Sequence, residues 1–229
     1  MKKQLFSLLM SLAFIGSQLY AQTDEDVRPT DERGRPHGTW LLFHDNGMLK
    51  NVTEYKSGLR NGNVINFNNT GKVLTRNTYA KDTMNGVQYT YQGDGRLQKL
   101  TTLKMGVLDG LQQEYNKSGK LQESGSYVDG VKDGVFTWYY TNGKVATEYI
   151  YKMGAIEGKV TYYFENGKLK SEMTYVDNKR EGPYKEYNEE GQLIIEGQYK
   201  NDQKEGKWIY YAADGSEEKK EKYKNGELR

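Results

Sequence analysis

The chain has 229 residues, of which 35% are hydrophobic, 28% charged and 13% aromatic, and it contains no cysteine, which excludes disulfides, thiolate metal sites and cysteine nucleophiles. Removing Lys2 and Lys3, which lie in a leader without acidic residues, from the 33 basic residues leaves 31, equal to the 31 acidic residues. That balance argues against a nucleic-acid-binding protein, which typically has a basic surplus.

The first predicted element is an export signal at residues 1–21. It has a basic start, an apolar run from Leu5 to Ile15 and a cleavage point after Ala21. The run is about 11 residues, short of the roughly 20 that a helix needs to cross a bilayer, so a cleaved signal is favoured over an anchor. We expect an exported protein, whether periplasmic, on the outer surface or secreted, with no transmembrane segment after signal cleavage. Residues 22–33 follow as a flexible acidic linker.

A sequence repeat fills residues 34–229. Glycine recurs at one constant spacing in two unbroken series, which begin at Gly38 and Gly62 and at Gly47 and Gly71, and which both continue through eight repeats. A third series begins at Gly34 and departs from glycine only for Asp or Asn, residues that tolerate a left-handed backbone. We therefore predict one domain of eight 24-residue repeats. Each set of equivalent positions is termed a column, numbered by its member among residues 38–61.

Two columns between the glycines are apolar in every repeat. Column 55 is tyrosine except for Leu103, and column 43 is aromatic throughout. Such rings join neighbouring hairpins, and a half-exposed row of them on a single sheet is also typical of a binding surface. Column 40, with Trp40 and Trp208, is expected on the opposite face. The predicted partner-binding residues are Phe43, Phe67, Tyr91, Tyr115, Tyr139, Tyr163, Tyr187 and Tyr211.

The repeat unit is predicted to be a β-hairpin, because so short a unit leaves no room for two strands and a packed helix. A type I′ turn at Asn46-Gly47 would put columns 43 and 49 on opposite faces. We favour a three-residue loop that ends at a left-handed Gly47, because it pairs 43 with 49 and places columns 43, 49 and 55 on one face. The segment from Gly58 to Gly62 is then the reverse turn to the next hairpin. The predicted fold class is all-β: an elongated antiparallel meander of about 16 strands, forming a twisted single-layer sheet or open trough.

A longer pattern, two repeats in length, runs through the central part of the domain. The segment KMGVLDG at 104–110 matches KMGAIEG at 152–158, and YVDGVKDG at 127–134 matches YVDNKREG at 175–182. The apolar loops of this pattern are expected to lie along one long edge of the sheet. Shared ancestry and a row of contact residues both explain them.

The repeat GxWxxYxxNGxLxxxxxYKxGxxxG, seen best in GKVTYYFENGKLKSEMTYVDNKREG from Gly158, resembles the MORN-repeat variant of bacterial antitoxin-like repeat proteins. The resemblance covers Gly34 to Arg229, most of the chain, and is weakest in repeats two and three, where Val64 and Gln88 stand in column 40. It implies β-hairpin arrays without enzymatic activity that serve as protein- or membrane-contact scaffolds.

Groups for catalysis or metal binding are sparse. His37 and His44 are the two histidines; neither recurs, and no HExxH or GxSxG pattern accompanies them. We therefore predict no enzyme, no catalytic residue, no metal and no cofactor. Acidic residues recur in column 61, where hydrogen bonds to nearby backbone explain them better than calcium binding or catalytic carboxylate pairs. These acids are Asp109, Asp133, Glu157, Glu181 and Glu205.

The leading functional hypothesis is an exported, non-enzymatic scaffold that binds a protein partner through its aromatic face or loops, with self-association as a further option. One alternative is glycan or cell-wall binding, because aromatic rows can stack on sugar rings. Another is an immunity or antitoxin-like protein that acts against an exported toxin. The zero mature charge argues against attachment to anionic lipid, which relies on basic clusters.

Overall fold

Residues 25–229 are described by a computed structural model, and they form 20 β-strands that pair antiparallel in one open sheet. Each long strand pairs with the strands before and after it in the chain, so the sheet is a meander. This confirms the predicted fold class. Within these residues, no helix has the length and apolar character needed to cross a membrane. The predicted signal peptide at residues 1–21 lies outside the described residues.

Each repeat supplies two long strands. The number of strands exceeds the predicted value because single residues, Asn85, Asp133 and Glu157, interrupt three of them, and because the short β20 begins a further hairpin. The strands are β1 Gly38–Phe43, β2 Leu49–Lys56, β3 Leu59–Phe67, β4 Val73–Ala80, β5 Thr83–Met84, β6 Gly86–Tyr91, β7 Leu97–Lys104, β8 Val107–Tyr115, β9 Leu121–Val128, β10 Val131–Lys132, β11 Gly134–Tyr139, β12 Val145–Lys152, β13 Ala155–Ile156, β14 Gly158–Tyr163, β15 Leu169–Val176, β16 Lys179–Tyr187, β17 Leu193–Lys200, β18 Gln203–Tyr211, β19 Glu217–Lys224 and β20 Glu227–Leu228.

The hairpin turn at each column-47 glycine has the predicted register. In the first repeat, the backbone N–H of His44 donates to the carbonyl oxygen of Met48 at 2.8 Å, which leaves a three-residue loop. Gly47 ends that loop with a φ of 75°, in the left-handed region that a residue without Cβ adopts readily. Phe43 pairs with Leu49, and the equivalent pairing occurs in all eight repeats.

A second irregularity follows that pairing and changes which columns share a face. Leu42 pairs with Asn51, two residues beyond the partner of Phe43, so Lys50 is an extra residue in a bulge. One extra residue shifts the alternation of side chains by one position. One face of the sheet, named face A, therefore holds columns 40, 42, 51, 53 and 55. The opposite face, named face B, holds columns 39, 41, 43, 49, 52 and 54. The prediction that column 55 lies beside column 43, with column 40 opposite, is wrong for this reason.

The connection between successive hairpins is a two-residue turn at columns 57 and 58. Ser57 and Gly58 have φ angles of 53° and 91°, and positive φ at both central residues is the mark of a type I′ turn. Column 58 has positive φ in all nine of its members, as its Gly, Asp and Asn residues predicted. The residues that follow belong to β3, so the reverse turn is shorter than the predicted Gly58–Gly62 segment.

The described part of the predicted 22–33 linker contacts the first hairpin. Val27 exchanges two backbone hydrogen bonds with Leu41, each 2.8 Å long, and Trp40 Nε1 donates to the carbonyl oxygen of Pro29 at 2.8 Å. These contacts cover the outer edge of β1. A proline beside an edge strand limits further pairing, because it has no backbone N–H to donate.

Candidate functional site

The most buried side chains of the sheet lie on face A, along column 40. Phe136 and Trp208 are each 1% exposed and Val160 is fully buried. Tyr127 and Tyr151, both in column 55, flank Phe136 edge-on, with ring centroids 5.3 and 5.0 Å away. Since one of these tyrosines belongs to the preceding hairpin, column 40 and column 55 together join consecutive repeats.

The same arrangement recurs near the C-terminal end. Tyr199 and Tyr223 lie edge-on to Trp208, at 5.1 and 6.3 Å between ring centroids, and Tyr184 stacks on it at 5.6 Å. The indole Nε1 donates to the carbonyl oxygen of Gln198 at 3.2 Å. Trp208 is therefore held both by ring packing and by a hydrogen bond to the preceding repeat.

Column 53 provides the space for the large rings of column 40. A Cβ atom added at Gly125 would lie within 3.0 Å of the Phe136 ring, and one added at Gly197 would lie within 3.0 Å of the Trp208 ring. Where column 53 holds the large Tyr149, column 40 of the next repeat holds the small Val160. At these three sites the two columns complement each other in size, as close packing requires.

Gln88 shows how a polar residue fits the buried column. Its Nε2 donates to the carbonyl oxygens of Thr78 and Gly86 at 3.1 and 3.0 Å, and its Oε1 accepts from the Thr78 N–H at 3.1 Å. Thr78 stands in column 54, as does Gln198, the acceptor for Trp208. The departure from an aromatic residue at Gln88 thus keeps the hydrogen bond and loses the ring.

Basic side chains lie over the rings of face A, a feature that the sequence analysis did not identify. Arg60 lies 4.3 Å from the centroid of Tyr79, Arg180 lies 4.2 Å from that of Tyr199, and Lys204 lies 4.2 Å from that of Trp208. A cation in this position contributes about 0.5–2 kcal/mol, more where it is desolvated. All three cations occupy column 60, which pairs directly with column 55.

Glu221 is the centre of a hydrogen-bonded cluster on face A. Its carboxylate accepts hydrogen bonds from the Tyr210 and Tyr223 hydroxyls at 2.9 Å each and forms an ion pair with Lys219 at 2.6 Å. The Lys219 ammonium group, followed by the two hydroxyls, lowers the pKa of Glu221 from 4.5 to about 2. The folded protein therefore holds this group as a carboxylate at neutral pH.

We expect E221Q to reduce the stability of β18 and β19 at pH 7 and to have little effect near pH 2. A carboxyl with a lowered folded-state pKa stabilises the fold above its unfolded pKa of about 4.5, and that contribution disappears as the pH falls through about 2. Strand-resolved hydrogen exchange in β18 and β19, compared between E221Q and wild-type protein at pH 7 and at pH 2, measures the difference. E218Q on the same strand is the control, and an equal E221Q effect at both pH values would contradict the prediction.

The predicted partner-binding column lies on face B, beside the hairpin turns. All eight residues of column 43 are partly exposed, and no second layer from residues 25–229 covers this face. Their rings do not meet the column-55 rings, which lie on face A. The eight residues are Phe43, Phe67, Tyr91, Tyr115, Tyr139, Tyr163, Tyr187 and Tyr211.

Several column-43 hydroxyls are bound to neighbouring side chains. Tyr163 donates to Glu148 at 3.1 Å and Tyr211 donates to Glu196 at 2.6 Å. Burial and the Glu148 carboxylate raise the pKa of Tyr163, and the hydrogen bond to Glu196 raises that of Tyr211. These tyrosines therefore present fixed, uncharged rings at neutral pH.

The two histidines do not form a catalytic group with each other. His37 is exposed, and its Nδ1 accepts from the Ser57 N–H at 3.5 Å, whereas Nε2 of the half-buried His44 lies 3.1 Å from the Phe67 carbonyl oxygen. The described residues contain no group of three or more His, Asp or Glu side chains able to hold a metal ion.

Four of the five column-61 acids bind backbone, as predicted, but in the next repeat, whereas Asp109 lies 3.9 Å from Lys104 Nζ. Asp133 accepts from the Met153 N–H at 3.0 Å, and Glu181 accepts from the Asn201 N–H at 2.8 Å. Each donor belongs to the two-residue turn that follows the next hairpin. These side chains therefore connect successive turns along the edge of the sheet.

Exposed apolar side chains are concentrated in the central repeats. Nine of the twelve large hydrophobic residues that are exposed in the described part of the chain lie between positions 105 and 176, on face B or in the adjoining turns. Such a concentration typically marks an interaction surface. They are Met105, Val107, Leu111, Val128, Val131, Val135, Ile150, Met153 and Val176.

Comparison with known proteins agrees with the repeat. A model of the MORN repeat variant matches residues 36–57, 108–129, 132–153, 156–177 and 180–201. No curated protein matches the chain. MORN repeats often serve as protein- or lipid-binding scaffold modules. By these five matched repeats and by its array of β-hairpins, the chain belongs to the MORN repeat variant family.

Proposed function

We propose that the protein is an exported, non-enzymatic repeat scaffold that binds a protein partner through face B. The single observation that carries the proposal is the partly exposed aromatic column 43 on a face without a second layer in residues 25–229. Aromatic rings on a rigid sheet bury large areas at a small cost in side-chain entropy, which suits protein recognition. Export rests on the leader pattern of residues 1–21.

The two faces differ in a way that favours face B. The large side chains of face A are already packed against one another, with column 60 cations over the rings. Face B combines the column-43 rings with exposed apolar residues such as Val135 and Ile150, which pair across β11 and β12. A partner therefore finds unsatisfied apolar area on face B, whereas on face A it would have to displace packed rings.

Site-specific photo-crosslinking in intact cells tests this proposal. A benzophenone analogue of phenylalanine replaces Tyr139, in column 43, or Tyr175, a partly exposed column-55 tyrosine on face A, which is the matched control. We expect a discrete covalent product with one protein from position 139 and none from position 175. Failure of position 139 to give a protein product, or equal products from both positions, would reject face B as the binding surface.

The same cells test the other parts of the proposal. A crosslinked product that shrinks on treatment with peptidoglycan-degrading enzymes would indicate the glycan alternative instead. Fractionation should place the chain outside the cytoplasm, shortened at its N-terminus by about 2 kDa, since roughly 21 residues would be removed. A full-length chain in the cytoplasmic fraction would refute export.

A further inference from the structure

The last long strand of the sheet, β19, has an outer edge that is only partly paired. In each of the seven earlier repeats, columns 51 and 52 pair with the first strand of the next hairpin. The short β20 pairs only with Tyr223 and Lys224. Within residues 25–229, the backbone of Lys219 and Lys220, which stand in columns 51 and 52, therefore has no strand on its outer side.

The direction of the backbone groups at this edge follows from one hydrogen bond. The N–H of Arg229 donates to the carbonyl oxygen of Lys222 at 2.8 Å, so the backbone groups of Lys222 point away from β18. Alternate residues of an antiparallel strand point the same way, so the N–H and C=O of Lys220 also point to the open side. They are the donor and the acceptor that a sheet offers to an added strand.

A second copy of the chain does not fit this edge. The outer edge of β1 is already paired, because Val27 exchanges backbone hydrogen bonds with Leu41, so another copy cannot offer its β1 to β19. Two β19 strands paired through residues 219–221 would each collide with β20 of the other copy, which occupies the edge from Lys222 onward. The open edge therefore suits a short extended segment of another protein.

Uncompensated positive charge lies beside the open edge. Lys207 and Lys222 are directly opposite each other on face B. The Cβ atoms of such a pair are about 5 Å apart, and like charges in this arrangement destabilise a sheet. Neither lysine forms an ion pair with any group in residues 25–229. An anionic ligand at this position would therefore relieve a repulsion that the fold itself leaves in place.

An open pocket of about 800 Å³ lies at the same edge, and five of its seven lining residues are basic. Three of these five cations have an acidic partner, whereas Lys207 and Lys222 have none, so the pocket is basic. The ion pairs formed by its lining residues are Lys219–Glu221, Lys220–Glu217 and Arg229–Glu227.

We infer that the outer edge of β19 binds an extended acidic segment of another protein as an added strand of the sheet. The backbone of the segment pairs with Lys220, and carboxylates on its alternate residues lie on face B, near Lys220 and Lys222. Lysines on an edge strand repel a basic strand but attract an acidic one. The site uses none of the column-43 rings, so it is separate from the partner surface proposed above.

Peptide binding to the purified protein, followed by fluorescence anisotropy, tests the charge. A fluorescein-labelled peptide of alternating threonine and glutamate should bind, and a peptide of alternating threonine and lysine should not. K207Q/K222Q should weaken binding by about tenfold or more, because both unpaired ammonium groups are lost. K159Q is the matched control: Lys159 also stands in column 39, but it forms an ion pair with Glu172, and its loss should leave binding unchanged.

Strand pairing is tested on both partners. In the inferred register the glutamate amides face β19, so N-methylation of the glutamates should abolish binding and N-methylation of the threonines should preserve it. On the protein, K220P and K220Q both remove the charge, but only proline removes the outward N–H, and an edge strand tolerates proline there. K220P should therefore bind the peptide at least about tenfold more weakly than K220Q.

Four results would each overturn the inference. They are wild-type protein that does not bind the acidic peptide, K207Q/K222Q without effect, equal binding of the two N-methylated peptides, and a wild-type dimer that K220P converts to a monomer. The last result would show that a second copy occupies the edge instead. None of these results depends on a partner for face B.

Discussion

Replacing Trp208 with alanine is expected to reduce the stability of the C-terminal repeats by about 3–5 kcal/mol, the usual cost of removing a fully buried large aromatic residue. The substitution removes ring contacts with Tyr184, Tyr199 and Tyr223, the hydrogen bond to Gln198 and the Lys204 cation over the ring. It leaves a cavity that neighbouring strands cannot close, because their side chains are fixed by the register of the sheet.

Hydrogen exchange resolved by strand is the suitable measurement for W208A. Repeat arrays unfold locally, so one global unfolding free energy does not describe them well. The free energy of opening measured by exchange should fall by about 3–5 kcal/mol in β17, β18 and β19. In β2 and β3 it should stay unchanged. W40A is the matched control: Trp40 belongs to the same column but is only half-buried, so its loss should be smaller. Equal losses from the two substitutions would contradict the assignment of column 40 as the core.

Adding a single methyl group at Gly197 is expected to destabilise the same strands by about 1–3 kcal/mol, through overpacking. The new Cβ would lie within 3.0 Å of the Trp208 ring, and the backbone there does not have the positive φ that would itself penalise alanine. Shrinking the ring should relieve the overlap. In protein that already carries W208V, the G197A substitution should therefore destabilise the strands much less. The two substitutions should show a coupling free energy on the order of 1 kcal/mol or more.

Gly93 provides the control for that experiment. It also lacks a positive φ, and an added Cβ would meet nothing within 4 Å, so G93A should change stability by less than about 0.5 kcal/mol. The size rule has a further test within the chain: G197Y/W208V reproduces the natural combination of Tyr149 with Val160. A double variant no more stable than G197Y alone would show that the two columns do not complement each other in size.

The turns could be predicted from the sequence because each depends on a few adjacent residues. Gly47 and its equivalents specify a left-handed loop end, and the Gly, Asp and Asn residues of column 58 specify positive φ. The pairing of Phe43 with Leu49 follows directly from that loop. Local conformation therefore determined the hairpin, the meander and the fold class.

The assignment of faces failed because one inconspicuous residue decides it. Lys50 and its equivalents are of mixed chemistry, and nothing in them signals a bulge. That extra residue moves Tyr55 to the face of Trp40, where the two rings lie 5.0 Å apart. The cations of column 60 were missed for the same reason, since the pairing of Arg60 with Tyr55 places Arg60 on face A, where it lies over the Tyr79 ring.

The position of the candidate surface could be predicted only in part. The aromatic character of column 43 is visible in the sequence, but its separation from column 55 is not. The concentration of exposed apolar residues between Met105 and Val176 depends on side-chain exposure, which sequence periodicity does not give. The sequence pattern that spans two repeats covers the same region, and from this pattern the concentration of exposed apolar residues could have been predicted.

The bonds from column-61 acids to the following turn have a consequence for how such a chain can change length. Each spans less than one repeat unit of the sequence, as from Asp133 to Met153. Deleting a whole unit from the middle and rejoining the ends leaves each remaining turn preceded, at the same spacing, by a column-61 side chain. Duplication or loss of one repeat therefore changes the length of the sheet by two strands, roughly 10 Å, and the contacts between the remaining repeats stay the same.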